Sequence, residues 1–175
     1  DRNLDKERSI VTHDAGAPRD SMVPFFTATV PHSYIGWGKS THLGYGIPLM
    51  IGAKMAYPDR FCLNFMGDGA FGMSGLDIET SARAGLPITT TLLNNGIMAT
   101  YSANVYPTAQ EKYGVTHMQG DYAKIAEGMG AVGITVTKPA EIGPALKRAQ
   151  RLNAEGKTVL LDIHTRREER RSGRG

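Results

Sequence analysis

Residues 67–96 read GDGAFGMSGLDIETSARAGLPITTTLLNNG. Just before them, Phe61–Met66 (FCLNFM) is a short continuous apolar run, the pattern of a strand covered on both faces. Inside the stretch, Leu76–Ala84 (LDIETSARA) reads as a helix, with Ser74 as its cap and Gly85 as its end signal. Ile88–Leu93 (ITTTLL) is β-branched and strand-like. Strand, glycine-rich turn, helix and strand in that order make a βαβ unit, the repeating piece of a parallel sheet.

The same alternation continues on either side. Ser9–His13 (SIVTH) is a strand ended by the turn-like DAGAP, and Tyr45–Tyr57 (YGIPLMIGAKMAY) is a buried helix stopped by Pro58-Asp59. Residues 96–120 read as irregular. Asp121 caps a helix, Ile134–Val136 is a strand, Lys138–Leu152 is a helix with Pro139 in its first turn, and Lys157–His164 (KTVLLDIH) is a last strand. The expected architecture is α/β: three layers, α/β/α, around a mostly parallel sheet. In such sheets ligands bind beyond the carboxyl ends of the strands, so the loops after residues 13, 66 and 93 are the ones to inspect.

In the loop after Met66, Gly67 and Gly69 flank Asp68. Two glycines let a backbone approach a ligand closely and present its N–H groups, and one carboxylate between them suits a hard divalent cation. The triplet alone also reads as a tight turn with Asp68 capping the next helix. The following strand ends in Asn94-Asn95-Gly96, itself a turn signal. These loops close consecutive strands of one βαβ unit and are therefore expected to be neighbours. A carboxylate, an amide carbonyl and a backbone carbonyl form an oxygen-only set that fits Mg²⁺, with phosphate oxygens and water completing the octahedron.

GDG, the twenty-four residues 70–93, then NN closely resembles the signature of thiamin-diphosphate (ThDP) enzymes. Phe71, the helix, Leu86-Pro87 before the strand and the closing NNG add to it, and LGYGIPLMIGAKMAYPDR resembles the helix lying under the cofactor. The resemblance covers roughly residues 9–164 and is to the pyrophosphate-binding domain of the acetolactate synthase and 2-keto-acid decarboxylase group. It implies that Asp68, Asn95 and the carbonyl of Ile97 bind Mg²⁺. It also implies that Gly67, Gly69 and Ala70 line the diphosphate and that Gly16-Ala17 touches its far side. By the same resemblance Leu43 props the cofactor into a V, and the carbonyl of Thr41 accepts from its 4′-amino group. Decarboxylation of a 2-keto acid, with or without carboligation, is the implied reaction, of the lyase or transferase type.

The chain departs from the pattern in places. Ala17-Pro18 stands where acetolactate synthases usually carry Gln-His, and Thr41-His42-Leu43 where Gly-Thr-Met is usual. His42 reads either as a substrate-facing, catalytic side chain or as a packed loop histidine. The catalytic Glu of the family comes from a pyrimidine-binding domain, normally on a partner chain, and no segment here resembles it. The chain is thus expected to be the C-terminal piece of a longer enzyme or one subunit of a split one, in a homodimer or tetramer. A non-catalytic structural or regulatory subunit is the alternative, against which intact Asp68 and Asn95 speak. A rival dinucleotide motif, Gly128-Met129-Gly130-Ala131-Val132-Gly133, follows a helix and precedes a strand. That is the wrong order for a nucleotide fingerprint, and a helix end and turn explain it.

Composition sets the outer bounds. The 175 residues, 41% hydrophobic and 21% charged, fit one globular domain. The net charge of +3 belongs to residues 165–175 (TRREERRSGRG), with five Arg and two Glu, so the body 1–164 is neutral and the end is a basic, disordered tail. A nucleic-acid partner would favour a basic face on the body, and none is expected. Glycine, 21 residues or 12%, exceeds the usual share of about 7% and clusters at 36–52, 67–75 and 128–133. One cysteine, Cys62, sits in an apolar run and reads as a buried thiol. No apolar leader or membrane-length segment is evident, so a cytoplasmic protein without membrane contact is expected.

Overall fold

A computed structural model describes residues 2–37, 42–98 and 106–167. Five strands form one sheet: β1 (Ser9–His13), β2 (Phe61–Gly67), β3 (Thr89–Asn94), β4 (Val132–Val136) and β5 (Val159–His164). Their order is β1-β2-β3-β5-β4 and every pair is parallel. The register aligns Thr12 with Asn64, Asn64 with Thr90, and Leu92 with Asp162. Parallel neighbours require crossovers, and helices supply them: α1 (Ala17–Met22), α2 (Gly46–Ala56), α3 (Asp68–Ser74), α4 (Asp77–Arg83), α5 (Pro107–Tyr113), α6 (Tyr122–Gly128) and α7 (Pro139–Ala154).

Strand side chains alternate between faces, and the core divides accordingly. Ile10, Cys62, Met66, Ile88, Leu92 and Leu160 pack with Ile47 and Met50 of α2, Phe71 of α3, Ile78 of α4 and Ala126 of α6. Their neighbours along the strands point the other way: Val159, Leu161 and Ile163 meet Ala145 and Ala149 of α7, and Val11 and Leu63 meet Met22 of α1. This is the three-layer parallel architecture expected from the alternation of runs. β1 is an edge strand, and Val11 there donates to the Ser33 carbonyl at 2.9 Å and accepts from the Ile35 amide at 3.1 Å. That short strand-like pairing with Tyr34 covers an otherwise open ladder.

Several local expectations change. The segment after β2 holds two helices where one was expected, and α3 starts at Asp68 with no intervening loop. Ser74 does not cap α4: its Oγ is buried without a partner among the described residues, and the cap position is Leu76. The break falls where the Phe71 ring lies against Gly75, so closely that a Cβ there would meet it at 2.7 Å. Two further helices lie in stretches read as a turn or as irregular: α1, with a proline in its first turn, and α5, opened by Pro107 and closed by Gly114 at φ 55°. α2 runs one residue shorter at each end than read from the sequence, and β4 starts two residues earlier.

The GMGAVG stretch is the end of α6 and the start of β4, as its order implied. Gly133 is required by packing, because a Cβ would lie 2.3 Å from the Ala123 carbonyl oxygen. Beyond β5, Thr165 donates to the Asn94 carbonyl at 2.8 Å. Of the expected basic tail, residues 168–175 lie outside the described residues.

Candidate functional site

The site is built at the carboxyl edge of the sheet. β2 passes straight into α3, so Asp68 is held between a strand and a helix and is only 2% exposed. Its Oδ1 accepts from the Gly69 amide at 2.8 Å, and its Oδ2 accepts from the Gly96 amide, also at 2.8 Å. The second bond ties the β2–α3 junction to the loop after β3, and the ends of the two strands are neighbours as the βαβ reading required. Asp68 does not cap α3, whose N-cap is Gly67 with no side-chain bond. Burial pushes the Asp68 carboxyl above its usual range, and the amides of Gly96 and Gly69 oppose that push. Among the described residues no Lys, Arg or His forms an ion pair with it.

The two asparagines divide their work. Asn94 turns to the sheet and donates from Nδ2 to Asp162 Oδ1 at 3.0 Å. Asn95 is half-buried, and its Oδ1 accepts from the Ile97 amide at 3.1 Å, which leaves a lone pair for another partner. Ile97 bridges His117 antiparallel, but the bonds are made by its neighbours: Met98 N–H to the Thr116 carbonyl and Met118 N–H to the Gly96 carbonyl. The Ile97 carbonyl therefore stays out of that ladder. Among the described residues no group of three His, Cys, Asp or Glu side chains gathers around a metal position. A cation here would need the mixed set of carboxylate, amide and backbone oxygens, and would leave coordination positions to phosphate and water.

Small residues line this edge of the sheet. Gly16 (φ 83°) begins the turn into α1, and no atom of the described residues lies within 4 Å of where a Cβ would stand. Pro18 Cγ lies 3.9 Å from the Cβ position of Gly67, which sets the Gly16–Ala17 turn beside the GDG triplet. At Gly69 a Cβ would press on Met98 Cγ at 3.1 Å. Ala70 points inward and is buried. Leu43 is half-buried against the α2-side core. His42 is exposed and stacks on Trp37, ring centres 5.9 Å apart, with Tyr45 at 6.1 Å. Thr41 lies outside the described residues.

Two carboxylates escaped the sequence reading. Asp14 follows β1, is fully buried, and accepts from the amides of Ala15, Gly44 and Gly46. Burial raises its pKa while the Gly46, Gly44 and Ala15 amides lower it. Asp162 in β5 is 1% exposed, accepts from Asn94, and takes the Tyr122 amide at the start of α6 at 3.2 Å. A lone acid inside the apolar run TVLLDIH was a readable sign of a buried partner. An Asp opening a turn, as at Asp14, carries no such sign.

Comparison with known proteins agrees with this arrangement. The family profile "Thiamine pyrophosphate enzyme, C-terminal TPP binding domain" matches residues 14–163. The sulfoacetaldehyde acetyltransferase of Alcaligenes xylosoxydans xylosoxydans is 31% identical over 172 residues, which is 95% of this chain and 28% of that protein. The mitochondrial acetolactate synthase catalytic subunit of Saccharomyces cerevisiae is 32% identical over 158 residues, 88% of this chain and 22% of that one. The chain thus spans between a fifth and a third of the length of these relatives. The fold matches that of the Rhodococcus jostii RHA1 thiamine diphosphate-dependent 4-hydroxybenzoylformate decarboxylase, with a TM-score of 0.76 at 24% identity over 94% of this chain and 31% of that one. From the GDG–NNG signature, the parallel sheet that joins its two loops and the profile match, the chain belongs to the C-terminal TPP-binding domain family of thiamine pyrophosphate enzymes.

Proposed function

We propose that this domain anchors ThDP through Mg²⁺ for an enzyme that decarboxylates a 2-keto acid, with or without carboligation. Asp68, Asn95 and the Ile97 carbonyl would hold the metal. The backbone of Gly67, Gly69 and Ala70, with Gly16-Ala17 opposite, would seat the diphosphate, while Leu43 and the Thr41 carbonyl shape the rest of the cofactor. The bound cofactor supplies the electron sink for cleavage next to a carbonyl. The residues of this chain hold and orient it and keep water out. A pyrimidine-binding domain, fused or separate, would contribute the catalytic Glu.

One observation carries this reading. The Asp68 carboxylate is buried and bonded only to backbone amides of the two signature loops, without a cationic side chain among the described residues. Such a group stands to gain from a divalent ion. The acetolactate synthase among its relatives supports the carboligation reading, and the sulfoacetaldehyde acetyltransferase supports group transfer more broadly. The test is thermal stability of the full enzyme with ThDP and Mg²⁺. Ligand at a hundred times its Kd stabilises by about 2.7 kcal/mol, read as a rise in the melting temperature of the full enzyme. Asp68→Ala should abolish the rise. If the variant keeps it, the metal assignment is wrong.

A further inference from the structure

Segment 42–46 is gripped from three sides. From β1, the Asp14 carboxylate takes the Gly44 amide on both oxygens, at 3.0 and 3.1 Å, and the Gly46 amide at 3.1 Å. Beside it the Tyr45 hydroxyl donates to the His13 carbonyl. From β2, the Asn64 amide fills the space a Cβ of Gly46 would take. From α3, Met73 and Ser74 close on Gly44, whose φ of 87° places its missing Cβ 3.2 Å from Met73 Cβ. Leu43 immediately precedes the clamped Gly44–Gly46 stretch. The same Asp14 also accepts from Ala15 at 2.8 Å and stands two residues before Gly16, so one carboxylate joins two loops about thirty positions apart in sequence.

We propose that Asp14 is a positioning residue: its buried carboxylate locks the backbone of Gly44 and Gly46 to the end of β1, and so fixes Leu43 relative to the diphosphate seat. This rests on the reading of Leu43 as the support of the cofactor's bend. A fully buried acid bonded to three amides is a costly way to close a loop. An apolar residue or a plain turn would close the loop, but neither would fix the Gly44 and Gly46 N–H groups to a single point. Asp14 touches no reacting atom in this scheme and acts through Leu43.

The test uses the full enzyme with four variants, Asp14→Asn, Asp14→Glu, Tyr45→Phe and Asp68→Ala. Asparagine keeps one acceptor and turns an NH₂ toward N–H donors, so part of the lock is lost. Expected for Asp14→Asn is at least about tenfold faster hydrogen exchange at the Gly44 and Gly46 amides, the scale of losing hydrogen bonds to a charged acceptor. A fall in kcat of about the same size is expected, with the concentration of ThDP needed for half-saturation changed less than about threefold, because Asp68, Asn95 and the Ile97 carbonyl are untouched. Tyr45→Phe removes only the second clamp and should move the same two readouts in the same direction by less. Asp14→Glu, which keeps the charge, should recover part of the protection. Unchanged exchange and kcat in both Asp14→Asn and Tyr45→Phe would overturn the proposal. So would a loss of ThDP affinity that matches the loss of kcat, which would place Asp14 at the diphosphate. Asp68→Ala separates the two levels: if it abolishes ThDP binding while Asp14→Asn and Tyr45→Phe are silent, only the positioning role fails.

Discussion

Replacing Gly46 by alanine tests the packing that seats α2 on the sheet. A Cβ at this position would lie 2.2 Å from Asn64 Oδ1, 2.7 Å from its Cγ and 2.8 Å from its Nδ2. Asn64 cannot swing aside cheaply: it is fully buried in β2 between Thr12 and Thr90 on the adjoining strands. Forcing a methyl into a packed core costs about 1–3 kcal/mol. Against this, alanine in a helix and in a less flexible unfolded chain returns about 0.4–1 kcal/mol. The net expectation is a loss of about 1–2 kcal/mol, or a drop in Tm of roughly 2–8 °C. Urea unfolding followed by circular dichroism should show a lower midpoint at an unchanged slope. Combining Gly46→Ala with Asn64→Ala opens the space, so the double mutant should be more stable than the sum of the singles by about 0.5–3 kcal/mol. A Gly46→Ala variant as stable as the parent, or a coupling of zero, would refute the close approach of α2 to β2.

The remaining expectations concern the buried acids and the thiol. Burial holds the Asp68 pKa above 3.8 in the folded protein, so without metal its contribution to stability is full below that value and is lost as pH rises through the raised pKa. The urea midpoint of Asp68→Asn relative to the parent should therefore increase with pH across that window in metal-free buffer, and a decrease would contradict the assignment. Asp162→Ala strands the Asn94 amide and the Tyr122 N–H; a cost of about 1–3 kcal/mol is expected in thermal melts, and a neutral outcome would show that water replaces the carboxylate. Burial pushes the Cys62 thiol up to about 11 and leaves it unexposed, so a disulfide reagent at neutral pH should label it only as the protein unfolds.

The sheet was legible because its strands are continuous apolar or β-branched runs, a signal that needs no partner to be seen. The two signature segments were legible for the same local reason: Asp68 and Asn95 stand beside glycines at the ends of adjacent strands, and the Asp68–Gly96 bond joins them as expected. What stayed hidden depends on residues far apart in the chain. Nothing near Asp14 announces that its partners are Gly44 and Gly46, and nothing near Gly46 announces Asn64. The split of one expected helix into α3 and α4 has the same origin, since Phe71 rests on Gly75 on one side and on Tyr122 at 5.5 Å on the other. α5 is the opposite case: Pro107 and Gly114 are ordinary start and stop signals, masked by the polar stretch around them.

The strand order has a consequence for how the chain comes to be made. β5 lies between β3 and β4, although it is the last of the five to be synthesised. While residues 159–164 are still inside the ribosome, β3 has an unpaired edge and β4 has no strand to join. α7 has no completed surface to cover, because its core partners include Val159, Leu161 and Ile163. Two of the five strands therefore wait on six residues, and the emerging chain exposes an edge that invites foreign pairing. A stop codon a few residues before Val159 would leave β4 without its neighbour and α7 without the Val159, Leu161 and Ile163 side chains it packs on.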